Sequence, residues 1–269
     1  MANPTFSNNP VFNGRGATPT RDVTPESLDE LYNRPSATPL ETDRMSFEDT
    51  TVKTVSLLAI VVVLGAVAWL SGPLALPLAM LGAIGGLVLG LVNSFKKEPS
   101  VPLIVAYAAF EGLFVGGISR MFEAIAPGVA TQALLGTAAV FATVLLLFRS
   151  GKVRASAKAT KIFLFAMVGY ALFSLVNVGL MIFGVTTDPW GLRGTSIPGT
   201  NIPFGVVLGL FAVVLASYSL VMDFDFIQRG VRAGAPRKYG WTAAFGLVVT
   251  IVWLYVELLR LFAILRGNN

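Results

Sequence analysis

Seven long apolar segments occupy most of the sequence after residue 53. Each is long enough, at about 1.5 Å per residue of helix, to cross a hydrocarbon core of roughly 30 Å. The predicted spans are residues 54–70, 73–95, 101–122, 129–148, 161–185, 204–227 and 240–265. We therefore predict an all-α membrane protein, a seven-transmembrane helix bundle. Its predicted partner is the lipid bilayer in which the helices lie.

The charged residues support this prediction by their scarcity and their distribution. They make up 13% of the chain, whereas a soluble domain would carry about a quarter. Eight of the 15 acidic residues lie before residue 50. This asymmetry indicates a polar head segment, residues 1–48, followed by a seven-helix transmembrane domain, residues 49–269.

The head segment is rich in Asn, Pro, Thr and Ser and has no apolar period, so we expect it to be disordered. At its end, Ser46 is placed to be the N-cap of the first long helix, with Glu48 and Asp49 near the positive end of the helix dipole. The segment also contains two "NPxF" tetrads. The tetrads contain Asn3, Pro4 and Phe6, and Asn9, Pro10 and Phe12. They are either docking motifs for a partner or a consequence of low-complexity composition.

Lys and Arg residues predict the orientation of the chain. With the N-terminus inside, 16 of the 20 fall in inner segments and four in outer ones. Because basic residues collect on cytoplasmic loops, the N-terminus is predicted to be cytoplasmic. The same rule explains the net charge of +5, and since no basic run is interleaved with aromatic residues, we expect no nucleic-acid partner.

Glycines recur at four-residue spacing in the second and third spans. Gly82, Gly86 and Gly90 form one such series, and Gly112 and Gly116 lie in the next helix. Small residues at this spacing let helix backbones approach closely in lipid. We expect these glycines to pack helices together.

The missing residue types exclude several chemistries. The chain contains no Cys and no His, which excludes disulfides, haem ligation by His and zinc sites with the usual ligands. Asp223 and Asp225 lie on different sides of a helix turn and do not form an aspartyl dyad. We therefore expect no enzymatic activity and no cofactor.

Four acidic residues in the spans are the candidate ion-binding or pH-sensing groups: Asp225, Glu257, Asp223 and Glu111. An ionised acid at mid-membrane costs roughly 2.5–3.5 kcal/mol. It can be protonated, pair with Arg, or line a wet cavity that binds cations. Arg260 is the i,i+3 neighbour of Glu257, so an internal ion pair is an alternative to ion binding. For Asp223 and Asp225 the alternative is a polar helix end at the interface.

Three sequence motifs resemble those of the Bax inhibitor-1 family, which includes the transmembrane BAX inhibitor motif proteins and their bacterial relatives. "LYVELLRLFAILRG" is similar to the last helix of the family, "DFIQ" to the end of the sixth helix and "FEGLFVGGIS" to the third. The resemblance implies a bundle with the seventh helix at the centre, located in the bacterial plasma membrane. It also implies a proton-sensitive acid pair, Asp225 with Glu257, that controls a calcium leak.

The spacing of these two acids bears on the implied pair. A tight hairpin centred near Gly234 would set Asp225 opposite about residue 243, which is about 21 Å along the helix from Glu257.

Two functions remain open. The first is a pH-sensitive calcium or other cation leak, in which Ca²⁺ is the bound or transported ion and no fixed metal site is assigned. The second is a non-transporting accessory subunit that binds a larger membrane complex, such as a protease or a respiratory enzyme, through the head segment.

Overall fold

The computed structural model describes residues 43–186 and 188–267 of the chain. Within them, seven long helices follow one another, each long and apolar enough to cross a membrane. They are α1 (Phe47–Leu70), α2 (Ala75–Phe95), α3 (Val101–Ile125), α4 (Val129–Arg149), α5 (Ala157–Ile182), α6 (Phe204–Arg232) and α7 (Tyr239–Gly267). The seven-span prediction is confirmed. Most of the head segment, including both NPxF tetrads, lies outside the described residues.

The bundle has two ends, which carry different connections. The amino-terminal face carries the start of α1 and the α2–α3, α4–α5 and α6–α7 connections, and the opposite face carries the other connections and the end of α7. At the amino-terminal face, the side chain of Ser46 accepts a hydrogen bond from the Asp49 amide at 3.1 Å. The predicted N-cap is thus confirmed, and Phe47 and Glu48 belong to the helix and not to the head segment.

Residues 43–45 pair with the turn between α6 and α7. The Met45 amide donates to the Ala235 carbonyl at 2.7 Å, and the Arg237 amide donates to the Asp43 carbonyl at 2.9 Å. Arg237 also forms an ion pair with Asp49 at 2.9 Å. The start of α1 and the start of α7 are therefore tied together at this face.

α7 is the core of the bundle. In its most apolar stretch of 18 residues 67% are buried, against 17–39% in the corresponding stretches of the other helices. It packs against α1, α3, α4 and α6. The seventh helix is central, as the family resemblance implied.

α3 packs against α1 and α2 through glycines. A Cβ atom at Gly116 would overlap the carbonyl oxygen of Gly65, and one at Gly82 would overlap the backbone of Phe114. A Cβ atom at Gly112 would lie only 2.7 Å from the Val61 carbonyl oxygen. Gly82, Gly112 and Gly116 therefore make backbone-to-backbone packing, as predicted from the glycine spacing.

α5 is held differently. It packs against α6 and against a 3₁₀ turn, Gly191–Gly194, in the connection that follows it. Asn177 binds this turn, because its Oδ1 accepts from the Leu192 amide at 2.7 Å and its Nδ2 donates to the Trp190 carbonyl at 3.3 Å. Gly191 has φ of +61°, which favours glycine. The turn is thereby folded against the bundle.

Replacing Gly116 by Ala should destabilise the bundle, because the added methyl group meets the Gly65 backbone, which cannot rotate away. Overpacking of this kind costs about 1–3 kcal/mol. The thermal unfolding midpoint in detergent should fall. Gly169→Ala is the matched control, since nothing lies within 4 Å of its Cβ position, and its midpoint should stay at or above that of the unchanged protein. Equal midpoints for the two variants would contradict the packing role.

Candidate functional site

A buried polar cluster surrounds Glu257 of α7. Only 2% of this residue is exposed. Arg260 Nη1 lies 3.0 Å from each carboxylate oxygen, and the Tyr170 hydroxyl donates a short hydrogen bond to Oε1. Arg193 Nη1 lies 3.7 Å from Oε2. We call these four residues the Glu257 cluster.

Arg193 enters the cluster from a loop and not from a transmembrane helix. It belongs to the 3₁₀ turn Gly191–Gly194 and is 5% exposed. Its Nη2 donates to the Tyr170 hydroxyl and to Ser174 Oγ, both at 3.0 Å. One guanidinium therefore joins α5, the α5–α6 connection and α7.

The cluster lies well inside the bundle. Glu257 is ten residues before the end of α7, or about 15 Å along the helix axis. Tyr170 lies near the middle of α5. A side chain at this depth cannot reach water at a membrane interface, so its charge must be balanced by protein groups.

The charges of the cluster determine its chemistry. Two guanidinium groups surround one carboxylate, so the ionised cluster carries a net positive charge. A net positive charge disfavours the binding of a cation at Glu257 in this conformation. The internal pair with Arg260, one of the sequence-based alternatives, is formed.

Asp223 of α6 faces α7 in a neutral polar environment. The Thr250 hydroxyl donates to Asp223 Oδ2 at 2.7 Å, and Ser219 Oγ lies 3.2 Å from Thr250 Oγ1. Oxygen donors from two helices thus converge between α6 and α7. These are the ligand types that hard cations such as Ca²⁺ prefer.

Asp225 has a more peripheral position. It forms an i,i+4 ion pair with Arg229 at 3.0 Å, and the Arg229 side chain is 71% exposed. This agrees with the interpretation of Asp225 as part of a polar helix end. Three residues further on, Gln228 accepts from Arg154 at 3.0 Å, so the "DFIQ" motif also links α6 to the α4–α5 connection.

The structure does not bring Asp225 and Glu257 together. α6 and α7 run antiparallel in one register along their length, with Gly209 against Leu261, Ser219 against Thr250 and Asp223 against Gly246. In this register Glu257 is level with about Ala212, and Asp225 lies 13 residues further along α6, or about 20 Å. The acid pair implied by the family resemblance is not formed, because the α6–α7 turn is tight.

Glu111 of α3 is half-buried and faces α2. Its side chain lies close to that of Tyr107 one turn earlier, and its Oε1 would lie 2.8 Å from a Cβ atom at Gly86. The glycine series of α2 therefore makes room for this carboxyl group. Glu111 is separate from the Glu257 cluster and from Asp223.

Asp223, Asp225, Glu111 and Glu257 thus occupy separate sites. Among residues 43–186 and 188–267, no three or more His, Cys, Asp or Glu side chains lie close enough to hold a metal ion together.

Sequence reasoning missed Arg193 and Tyr170. Arg193 was counted only as an outer-loop charge, although the flanking "GLRG" is a turn signal that allows the loop to fold inward. Tyr170 carries a polar hydroxyl at the middle of an apolar span, where it requires a hydrogen-bond partner. The two signals show that a polar site exists, but they do not identify Glu257 as the partner.

Comparison with known proteins gives one family. The model for the family described as "Bax inhibitor 1 like" matches residues 3–267. The match therefore includes the head segment, which the sequence motifs had left outside the resemblance. No curated protein gives a significant match to the chain.

Replacing Arg193 by Met should destabilise the bundle, because it removes one of the two positive charges that balance buried Glu257. Arg260 still pairs with Glu257, so the loss is the 3.7 Å ion pair and the hydrogen bonds from Arg193 to Tyr170 and Ser174. We expect this loss to cost about 1–3 kcal/mol, and the thermal unfolding midpoint in detergent should fall accordingly. Arg229→Met is the control, since it removes an exposed arginine from a surface ion pair, which contributes about 0–1 kcal/mol. A midpoint for Arg193→Met equal to that of the control would show that the cluster contributes nothing to stability.

Proposed function

We propose that this chain, which belongs to the Bax inhibitor 1-like family, is a cation leak whose closed state is held by ionised Glu257. In this proposal the ion is Ca²⁺ or a similar cation, and the protein is not an enzyme and has no resident cofactor. The observation that carries the proposal is the single buried carboxylate that binds both Arg193, from a loop, and Arg260, from the central helix.

The charge balance supports a proton-controlled latch. While Glu257 is ionised, it attracts both guanidinium groups and the loop stays folded against α5 and α7. A proton on Glu257 removes that attraction and leaves two positive charges facing each other where the dielectric constant is low. The two arginines then repel, and the turn Gly191–Gly194 is released from the bundle.

The oxygen groups between α6 and α7 supply the cation-binding part of the proposal. Asp223, Thr250 and Ser219 present hard ligands. They lie toward the amino-terminal face, about 10 Å along α7 from Glu257. In this arrangement Glu257 and Arg193 control access, whereas Asp223 contacts the ion. Asp225 and Glu111 then belong neither to the latch nor to the main ion contact.

Ca²⁺ flux into dye-loaded proteoliposomes tests the latch. Glu257→Gln and Arg193→Gln should each raise flux at neutral pH several-fold and flatten its increase at acid pH, because either change breaks the latch. Asp223→Asn should lower flux, because it removes an ionic ligand. Asp225→Asn is the control and should leave the pH dependence unchanged.

Two outcomes of the flux experiment would contradict the proposal. Loss of flux in Glu257→Gln would mean that Glu257 is an ion ligand and not a latch. Absence of flux in the unchanged protein at every pH would remove the transport function and leave the accessory role.

The accessory role has its own support. The Glu257 cluster satisfies a buried charge whether or not an ion moves, so the same bundle can be a scaffold that binds a larger membrane complex. Partner capture with and without residues 2–42 tests this role. The deletion stops at residue 42 because Asp43 and Met45 bind the α6–α7 turn. Partners that remain bound after the deletion would exclude docking through the head segment.

The proposed orientation has the amino-terminal face in the cytoplasm, and the proposed location is a bacterial plasma membrane. The chain contains no cysteine, so single cysteines can be introduced without background. On intact cells, a membrane-impermeant maleimide should label Thr200→Cys and not Lys152→Cys, because exposed Thr200 and Lys152 lie in connections on opposite faces. The reverse labelling pattern would overturn the proposed orientation.

A further inference from the structure

A cavity of about 350 Å³ lies between α1, α3, α4 and α7, apart from the Glu257 cluster. Its walls are mainly apolar and include Leu58, Val62, Ala66, Trp69, Leu134 and Tyr255. We call it the lateral cavity. Its volume is in the range of small-ligand sites.

The lateral cavity opens toward the lipid. Among the described helices, α1 and α4 do not pack closely against each other, so the space between them is left to the cavity. At its rim, Val62 is 66% exposed and Leu134 is 60% exposed. A ligand can therefore enter sideways from the membrane.

The length of the lateral cavity corresponds to one leaflet. Along α1 it extends from Trp69, next to the end of the helix at the opposite face, to Leu58. Eleven residues of helix cover about 16 Å, which is half of a hydrocarbon core of about 30 Å. An apolar slot with this length, starting at the headgroup level, has the dimensions of one extended acyl chain.

A positive charge lies at the headgroup end of the slot. Arg120 of α3 is exposed, and its Nη1 donates to the Trp69 carbonyl at 2.7 Å. Trp69 is thus part of the cavity wall and also positions the guanidinium. Arginine is well suited to phosphate, because its planar fork can donate two parallel hydrogen bonds.

We propose that the lateral cavity binds one anionic phospholipid, with an acyl chain between α1 and α4 and the phosphate at Arg120. Inside the cavity, Ser119 Oγ and the Tyr255 hydroxyl form a hydrogen bond with each other at 2.7 Å. These two polar groups are therefore already paired and can lie against an acyl chain. The lipid would cover apolar surface of α7 that the protein itself leaves open. The proposed lipid site is independent of whether the protein transports cations.

Native mass spectrometry of the full-length protein in mild detergent tests the site. With added dioleoyl phosphatidylglycerol, the unchanged protein should keep one lipid through detergent exchange. Ala66→Phe, which fills the slot, should reduce the retained fraction at least tenfold. Val67→Phe is the matched control, because Val67 is 53% exposed on the same helix and does not line the cavity.

A second pair of variants covers the case in which Ala66→Phe fails to fold. Leu134→Trp fills the slot from α4, and its control is Leu135→Trp, on an exposed neighbour outside the cavity. Thermal unfolding in the absence of lipid identifies which variants are folded.

The phosphate contact is tested separately. Arg120→Gln should weaken retention of phosphatidylglycerol about tenfold, and retention of dioleoyl phosphatidylcholine little. Arg149→Gln, an exposed arginine at the other face, should behave as the unchanged protein does. Equal retention in the slot-filling variants and their controls would overturn the acyl-chain site, and loss of both lipids in Arg120→Gln would overturn its selectivity for anionic lipid.

Discussion

A carboxylate inside a lipid-embedded bundle has to find its counter-charge within the protein, and Glu257 finds it in two arginines. Arg260 comes from the same helix, but Arg193 comes from a loop that has to fold inward to reach it. Tyr170 then joins the pair from α5. One buried negative charge therefore links α5 and the α5–α6 connection to α7.

The two sides of the bundle are held by different forces. Around α3, glycines bring helix backbones into contact. Around Glu257, charge and hydrogen bonding join a loop and α5 to α7. In the proposed latch a change of protonation would act on the second side, whereas the lateral cavity lies between α1, α3, α4 and α7.

Features that depend on local sequence could be predicted from the sequence, whereas contacts between distant elements could not. The spans, the N-cap at Ser46 and the glycine packing depend on local sequence, and all were found from it. The spacing of Asp225 and Glu257 predicted their separation only if the turn between α6 and α7 is tight, and motif similarity paired them. The structure has the tight turn. Arg193 could not be assigned, because its partner is 64 residues away and on another element.

By itself, the sequence determined that the chain forms seven apolar helices, since a segment in lipid must satisfy its backbone hydrogen bonds internally. It also determined which acids are costly, because depth along a helix follows from residue number. Only the tertiary structure decided which groups balance those acids. Charge compensation is a matter of distances of a few ångström between elements far apart in the chain, and these distances are set by helix register and loop folding.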